Sequence, residues 1–473
     1  MFALLAVVAL LSRFLLIDSK SVWIDEAVSW RFANLPLRQM FDQTAHDAHP
    51  PFYYGVLHFW VDLFGNSEAA LRAPSAIAGA ATIVLLAVIG WRAGGWLLAL
   101  AAGSLLLLNP AHLAASQEAR MYALVGLLTL ASSVALAGFI AKPSVLRFAS
   151  YAALAIGLIY THYSGFIAVA AQGLVFGVYG LDRAVRNRNG WILVGGLVLV
   201  AVLALAYVPW WSTFRAHPRP GGAGGYPSVS VELVTNTSRS ALGLSQAGDG
   251  WLVLALPLLL LGVYGLAKRW RDPRVLSVAA IALVPVGQIL VSIWLEPVLD
   301  ARQVAPYTPG LAFVMALGLA EMVTLARRWS RFVKPGYAGL AAFSLAVLII
   351  MAVRFEWTYT APSRQDWRSV AADLSGRPDP IYIAPGYQWQ SLEYYRGTPF
   401  GVTALFQADL NRIAQGGDPV PPEKRQTDII LVAYGGSGQA VVPAFERYFE
   451  VEGTKQYTGG ITTYTLHPLV GTP

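Results

Sequence analysis

Apolar residues in this chain come in long blocks that recur almost from end to end. Runs of about 20 residues rich in Leu, Ala, Val, Ile and Gly, with polar residues collected between them, are what a bilayer core demands of a helix. The pattern places membrane helices at 1–17, 68–90, 95–109, 120–141, 147–162, 164–181, 191–210, 251–268, 276–295, 303–326 and 337–355. The first block, MFALLAVVALLSRFLLID, has no basic start and no small-residue cleavage site, so it reads as a retained helix and not as a signal peptide. Arg13 within it is expected to snorkel.

One apolar segment breaks the series. PFYYGVLHFWVDLFG carries His58 and Asp62. As a helix it would cover only about 20 Å of a hydrocarbon core about 30 Å thick. It is expected to lie along the interface, with Pro50 and Pro51 in its first turn. Counting it as a span would also reverse every later loop. With it excluded, the loops holding Arg92, Lys142, Arg147, Arg183, Arg186, Arg188, Lys268, Arg269, Arg271, Arg274, Arg327, Arg328, Arg331 and Lys334 all fall on the cytoplasmic side. About eleven spans then put the N-terminus inside and the C-terminus outside.

From about 357 the pattern changes. DWRSVAADL and VVPAFERYF read as helices, while PIYIAP, DIILVAY and ITTYTLHP are short runs bounded by Pro, Gly and Asp, as strands are. The expected architecture is a membrane domain over 1–356, with juxtamembrane helices in a first outer loop at 18–67. A small extracytoplasmic α/β domain follows over 357–473.

Composition sharpens this. Only 13% of the residues are charged and the mean hydropathy is +0.51, against about 25% charged in an ordinary soluble domain. The net charge of +7 is spread through short loops, which is a mark of membrane orientation and not of nucleic-acid binding. The absence of cysteine excludes disulfides, thiolate catalysis and Cys-bound metals.

The polar clusters that remain fall on the outer side of this topology. Asp25 and Glu26 either act as a general base or metal ligands, or complement the N-terminus of the helix that follows. His46, Asp47 and His49 in HDAHPP are candidate metal ligands, or loop polarity ahead of a helix start. In QEARMYAL, Glu118, Arg120 and Tyr122 stand at the mouth of a span, where Arg suits bidentate phosphate recognition. A simple Glu118–Arg120 pair is the weaker reading, because residues two apart on a helix do not face each other. Arg302 in DARQVAPYTPG either holds a phosphate or snorkels. His162 and Tyr163 in YTHYSG contact a substrate or belong to an aromatic belt, and Trp210 and Trp211 belong to the belt.

Taken in order, WIDEA, HDAHPPFYY, SEAALRAPSAIAG, QEARMYAL and DARQVAPYTPG resemble the GT-C class of membrane glycosyltransferases. More narrowly they resemble the branch (glycosyltransferase family 39-like) that holds protein O-mannosyltransferases and lipid A aminoarabinose transferases. The resemblance is most specific over residues 20–125 and weak after 357. It implies transfer of a sugar from a polyprenyl-phosphate carrier to a protein, lipid or polysaccharide acceptor, on the extracytoplasmic side of the plasma (inner) membrane. By resemblance Asp25 is the base of an inverting displacement and Glu26 supports it. Glu118, Arg120 and Tyr122 line the donor pocket with His49 nearby, and Arg302 binds the lipid phosphate. His46, Asp47, His162 and Tyr163 are further substrate-lining candidates. Relatives differ in metal use, so a divalent cofactor stays open. This sequence departs from the family pattern at Gln303, where an aromatic commonly follows the Arg.

Two other classes compete: a flippase for a lipid-linked sugar, and a non-catalytic envelope assembly or sensor protein. Transporters commonly show repeated halves and broken helices at the midplane. Here no repeat is visible and the polar residues collect on one face.

Overall fold

The structure, a computed structural model, describes residues 1–47, 49–187, 191–216, 228–244, 250–295, 297–329, 347, 349–353, 356, 358–397 and 401–469. The GGAGGY stretch at 221–226 and most of the span expected at 337–355 lie outside them. The chain divides into two compact units. The first comprises Met1–Leu15, Leu35–Gly65 and Ala70–Thr360; the second comprises Leu16–Asn34, Asn66–Ala69 and Ala361–Pro473.

The first unit is helical. Its helices are α1 (Phe2–Phe14), α3 (Leu37–Thr44), α4 (Phe52–Phe64), α5 (Glu68–Leu107), α6 (Pro110–Ser116), α7 (Tyr122–Ala141), α8 (Val145–Thr161) and α9 (Gly165–Asn187). They continue with α10 (Trp191–Ala216), α11 (Val231–Ala241), α12 (Trp251–Arg269), α13 (Pro273–Ala279), α14 (Val284–Trp294), α15 (Ala301–Val304) and α16 (Thr308–Trp329). Among the described residues seven helical stretches are long and apolar enough to cross a membrane, and α1 and α8 are shorter apolar helices. These helices make the chain an integral membrane protein. The 40-residue α5 is two helices merged across a break at Gly94 and Gly95. Gly95 takes φ +74°, a backbone region that side chains with a Cβ avoid, so the chain turns back there.

Arg13 departs from the snorkelling expected of it. It is fully buried, and its guanidinium donates to Leu107 O at 2.9 Å, Leu106 O at 3.4 Å and His112 Nδ1 at 3.0 Å. The last turn of α5 leaves carbonyls without helical partners, and the cation donates to Leu107 O and shares Leu106 O with the Asn109 N–H, which reaches it at 3.3 Å.

The second unit is a five-stranded mixed sheet, built from β1 (Ile381–Ala384), β2 (Val402–Ala404), β3 (Ile429–Tyr434), β4 (Phe449–Tyr457) and β5 (Ile461–Pro468) in the order β2-β1-β3-β5-β4. β1 runs parallel to β2 and β3, and β5 antiparallel to β3 and β4. Both faces are covered. Tyr382, Ala384, Ile429 and Leu431 enter one core, and Ile381, Ile383, Ile430 and Val432 enter the other. That alternation is why the parallel strands read as unbroken apolar runs. β4 differs: only Phe449 along it is buried, so its polar sequence gave no strand signal, and VVPAFERYF yields just four helical residues before it, Val442–Phe445.

This unit also holds α2 (Ile24–Ala33), the helix that begins with the acidic pair. Val22 N–H donates to the Tyr395 hydroxyl at 2.7 Å, and Ile24 N–H to Gln365 Oε1 at 3.2 Å. Trp30 meets Tyr394 edge to face, with centroids 5.4 Å apart, and the Arg31 guanidinium lies 4.6 Å from the Trp389 ring centre. Glu68 is bound by both Arg368 and Tyr395. The acidic helix is thereby fixed on helix Trp389–Arg396.

Candidate functional site

The polar centre of the helical unit begins with a short helix that stops early. Asn109 caps α6, accepting from His112 N–H at 3.0 Å, and Pro110 opens it. After Ser116 the chain leaves the helix for a bend over 117–121. Glu118 and Arg120 therefore sit on a bend and not on a helix, with Arg120 N–H bonded to Glu118 O at 2.8 Å. Ser75 of α5 donates to Arg120 O at 3.0 Å. The buried Arg120 side chain reaches His49, with 3.4 Å between Nη2 and the imidazole Nε2.

His162 joins them from the α8–α9 junction. It ends α8 with extended backbone, φ −161° and ψ 142°. Its ring lies edge to face with that of His49, centroids 5.1 Å apart, and 6.0 Å from the ring of Tyr122. Ser164, two residues on, donates its backbone N–H to His162 Nδ1 at 3.0 Å, and its hydroxyl lies 2.7 Å from the same nitrogen. Tyr307, fully buried, places its hydroxyl 2.5 Å from Ser164 Oγ. The turn that carries Tyr307 packs tightly on α7. A Cβ on Gly126 would stand 3.1 Å from Pro306 O.

These contacts fix charges. Arg can only donate, so His49 Nε2 accepts and the ring is neutral. A backbone N–H can only donate, so His162 Nδ1 accepts and that ring is neutral too. Burial, with the Arg120 charge adding, pushes His162 down to about 3. The centre thus combines a buried guanidinium with neutral imidazoles and phenols, a donor-rich setting suited to an anion.

Solved structures resemble this chain over nearly its whole length. It matches ArnT from Cupriavidus metallidurans, in the apo state and bound to undecaprenyl phosphate, each with TM-score 0.59 and 16% identity, over 98% of this chain and 97% of ArnT. It also matches the archaeal oligosaccharyltransferase AglB from Archaeoglobus fulgidus, in complex with an inhibitory peptide and a dolichol-phosphate. There the TM-score is 0.57 and the identity 12%, over 98% of this chain and 74% of AglB. The chain has the ArnT fold. No family model and no curated protein sequence matches it. The GT-C architecture that the motifs implied is therefore the architecture found.

Within this ArnT-like fold the other expected site residues scatter. Asp25 and Glu26 occupy the first turn of α2 in the second unit, Asp25 half-buried and Glu26 buried. That is where helix N-termini favour negative charge, while the N-cap position itself is Trp23 and carries no side-chain cap. HDAHPP splits three ways: His46 is exposed, Asp47 accepts from the Tyr54 hydroxyl at 3.0 Å, and His49 turns to Arg120. Among the described residues no three His, Asp or Glu side chains are gathered as metal ligands would be. Tyr163 accepts from Trp210 Nε1 at 3.4 Å within an aromatic cluster, and burial, with Asp47 adding, raises its pKa. Trp211 is exposed. Arg302 is half-exposed, 3.5 Å from Asp300, whose carboxylate caps α15. Ser164, Tyr307, Ser75 and His112 escaped the sequence reading. A Ser two residues after a His is a local turn signal, whereas Tyr307 is distant in sequence and left none.

Proposed function

We propose that this protein is a membrane glycosyltransferase that moves a sugar from a polyprenyl-phosphate carrier to an acceptor hydroxyl or phosphate. The observation that carries the reading is the likeness to ArnT over 98% of the chain, including the form of ArnT bound to undecaprenyl phosphate. The buried Arg120 with its neutral imidazole neighbours adds chemical support. In this reading Glu118, Arg120 and Tyr122 line the donor pocket with His49 nearby, Arg120 facing the phosphate, and Arg302 binds the lipid phosphate at the membrane surface. Asp25 takes the proton from the acceptor hydroxyl as its oxygen attacks the anomeric carbon, and Glu26 supports it. The bond from that carbon to the phosphate oxygen breaks, configuration inverts, and polyprenyl phosphate leaves as an anion neutralised by Arg. The reacting residues face the extracytoplasmic side of the plasma membrane, and the acceptor is a protein, lipid or polysaccharide.

The test is transfer of labelled sugar from a polyprenyl-phosphate donor by the purified protein in liposomes with an envelope extract as acceptor. Asp25→Asn is expected to lower transfer by about a thousandfold, the range of a general base. Undiminished transfer by a folded Asp25→Asn protein would remove Asp25 from this role. Movement of the lipid-linked sugar across vesicles lacking any acceptor would favour a flippase. Because the chain has no cysteine, a single Cys placed at Lys20 reports the side directly. Labelling by an impermeant reagent only from the cytoplasm would overturn the assigned orientation.

A further inference from the structure

Ser164 and Tyr307 lie within the YTHYSG and DARQVAPYTPG stretches with no role assigned there, yet they determine which nitrogen of His162 bears the proton. The backbone N–H of Ser164 points at His162 Nδ1, so that nitrogen must present a lone pair. The Ser164 hydroxyl, 2.7 Å from the same lone pair, must then donate to it. With its own proton committed, Ser164 Oγ accepts, and Tyr307 donates to it at 2.5 Å. The chain of bonds therefore runs one way, from the Tyr307 O–H through the Ser164 O–H to His162 Nδ1. The remaining proton of the neutral ring lies on Nε2, which bonds no group among the described residues. His49, by contrast, accepts through Nε2 and keeps its proton on Nδ1. The two adjoining rings carry opposite tautomers.

We infer that Tyr307 and Ser164 are positioning residues that hold His162 as the Nε2–H tautomer, making it a neutral hydrogen-bond donor to a phosphate oxygen of the lipid-linked substrate beside Arg120. The inference rests on the glycosyl-transfer reading above and deepens it. A neutral donor suits a group that must bind the phosphate both as an ester and as a departing anion, since it neither gives up its proton nor adds a second fixed charge next to Arg120. The same tautomer leaves no lone pair on Nε2, so His162 serves as a donor and not as a metal ligand.

The experiment uses the full-length protein in detergent, with a short-chain polyprenyl monophosphate as the binding probe and a polyprenyl-phosphate sugar for turnover. Tyr307→Phe and Ser164→Ala should each weaken monophosphate binding about fivefold, the worth of one ordinary hydrogen bond, and raise donor KM more than they lower kcat. His162→Gln sets an amide N–H where Nε2–H stood and needs no relay, so it should lose less binding than His162→Ala. In the His162→Gln background Tyr307→Phe should cost nothing further. A tyrosine that only packs would cost the same in both backgrounds. Equal losses in the two backgrounds, unchanged binding in Tyr307→Phe, or a nitrogen-15 chemical shift showing His162 protonated at Nδ1 would each overturn the inference. A wild-type protein that binds no monophosphate would overturn the glycosyl-transfer reading first, and the substrate role of His162 with it.

Discussion

Two of the guanidiniums buried in the helical unit, Arg13 and Arg120, each face a neutral imidazole. Arg13 donates a hydrogen bond to His112 Nδ1 at 3.0 Å; Arg120 lies 3.4 Å from His49 Nε2. The surroundings differ. Arg13 also binds two carbonyls in the last turn of α5, Leu107 O and Leu106 O, so its contacts close a structural joint between α1, α5 and α6. Arg120 rises from a bend and joins His49 to a second imidazole and the Tyr122 ring. Residue type and burial are the same in both places. What separates a joint from a site is whether the cation's partners belong to the helices or form a separate cluster of side chains.

Substituting the two arginines tests that distinction. Arg120→Gln should lower transfer about a hundredfold, the scale seen when one partner of a desolvated charged contact is removed, with little change in thermal stability. Arg13→Gln should show the reverse: unfolding about 2 kcal/mol easier, because buried carbonyls lose their donor, with donor KM unchanged. Transfer assays and thermal melts on both proteins give the four numbers. Equal effects on activity and stability in the two variants would erase the distinction. Next in size is Asn109→Ala. It removes the cap of α6 and a bond from Nδ2 to Ala241 O at 2.9 Å, with an expected loss of about 1.5 kcal/mol on the Arg13 side of the comparison. A melt unchanged by this substitution would argue against the joint.

The helices were legible because a bilayer sets both their length and their composition, and the break at Gly94 and Gly95 divides α5 between the two spans read there. β1 and β3 were legible because strands buried on both faces keep apolar runs, and β5 because its Ile, Thr and Tyr favour strands. β2, three half-buried residues, and β4, an exposed edge, offered no such pattern. At the candidate site the residue types were readable and the partnerships were not. His49 and Arg120 are 71 positions apart, Arg13 and His112 are 99, and Ser164 and Tyr307 are 143. Nothing local marks a phenol that acts through a serine from so far away. Arg13 was misread because a lone cation in an apolar helix is ordinarily drawn to the interface, and its satisfaction here depends on the end of a different helix.

The smallest expected effect concerns acid, and it bears on both pairs at once. Burial, with the nearby Arg13 charge adding, depresses His112 well below its ordinary pKa, and burial with Arg120 brings His162 to about 3. A histidine depressed on folding binds its proton in the unfolded chain, but not in the native one, once pH falls below about 6.5. Stability is therefore complete above that pH and is lost as pH falls toward the native value. Between pH 7.5 and 5.5 each such group should contribute a loss of about 1.4 kcal/mol. Melts of His112→Gln and His162→Gln across this window should each flatten the acid slope by one histidine's share, and the double variant by two. Because burial is the larger cause at both rings, Arg13→Gln and Arg120→Gln should each leave both histidines' shares in this window nearly intact. A slope that either arginine substitution alters at both histidines would mean the joint and the site are one electrostatic unit, and the comparison between them would then have to be drawn elsewhere.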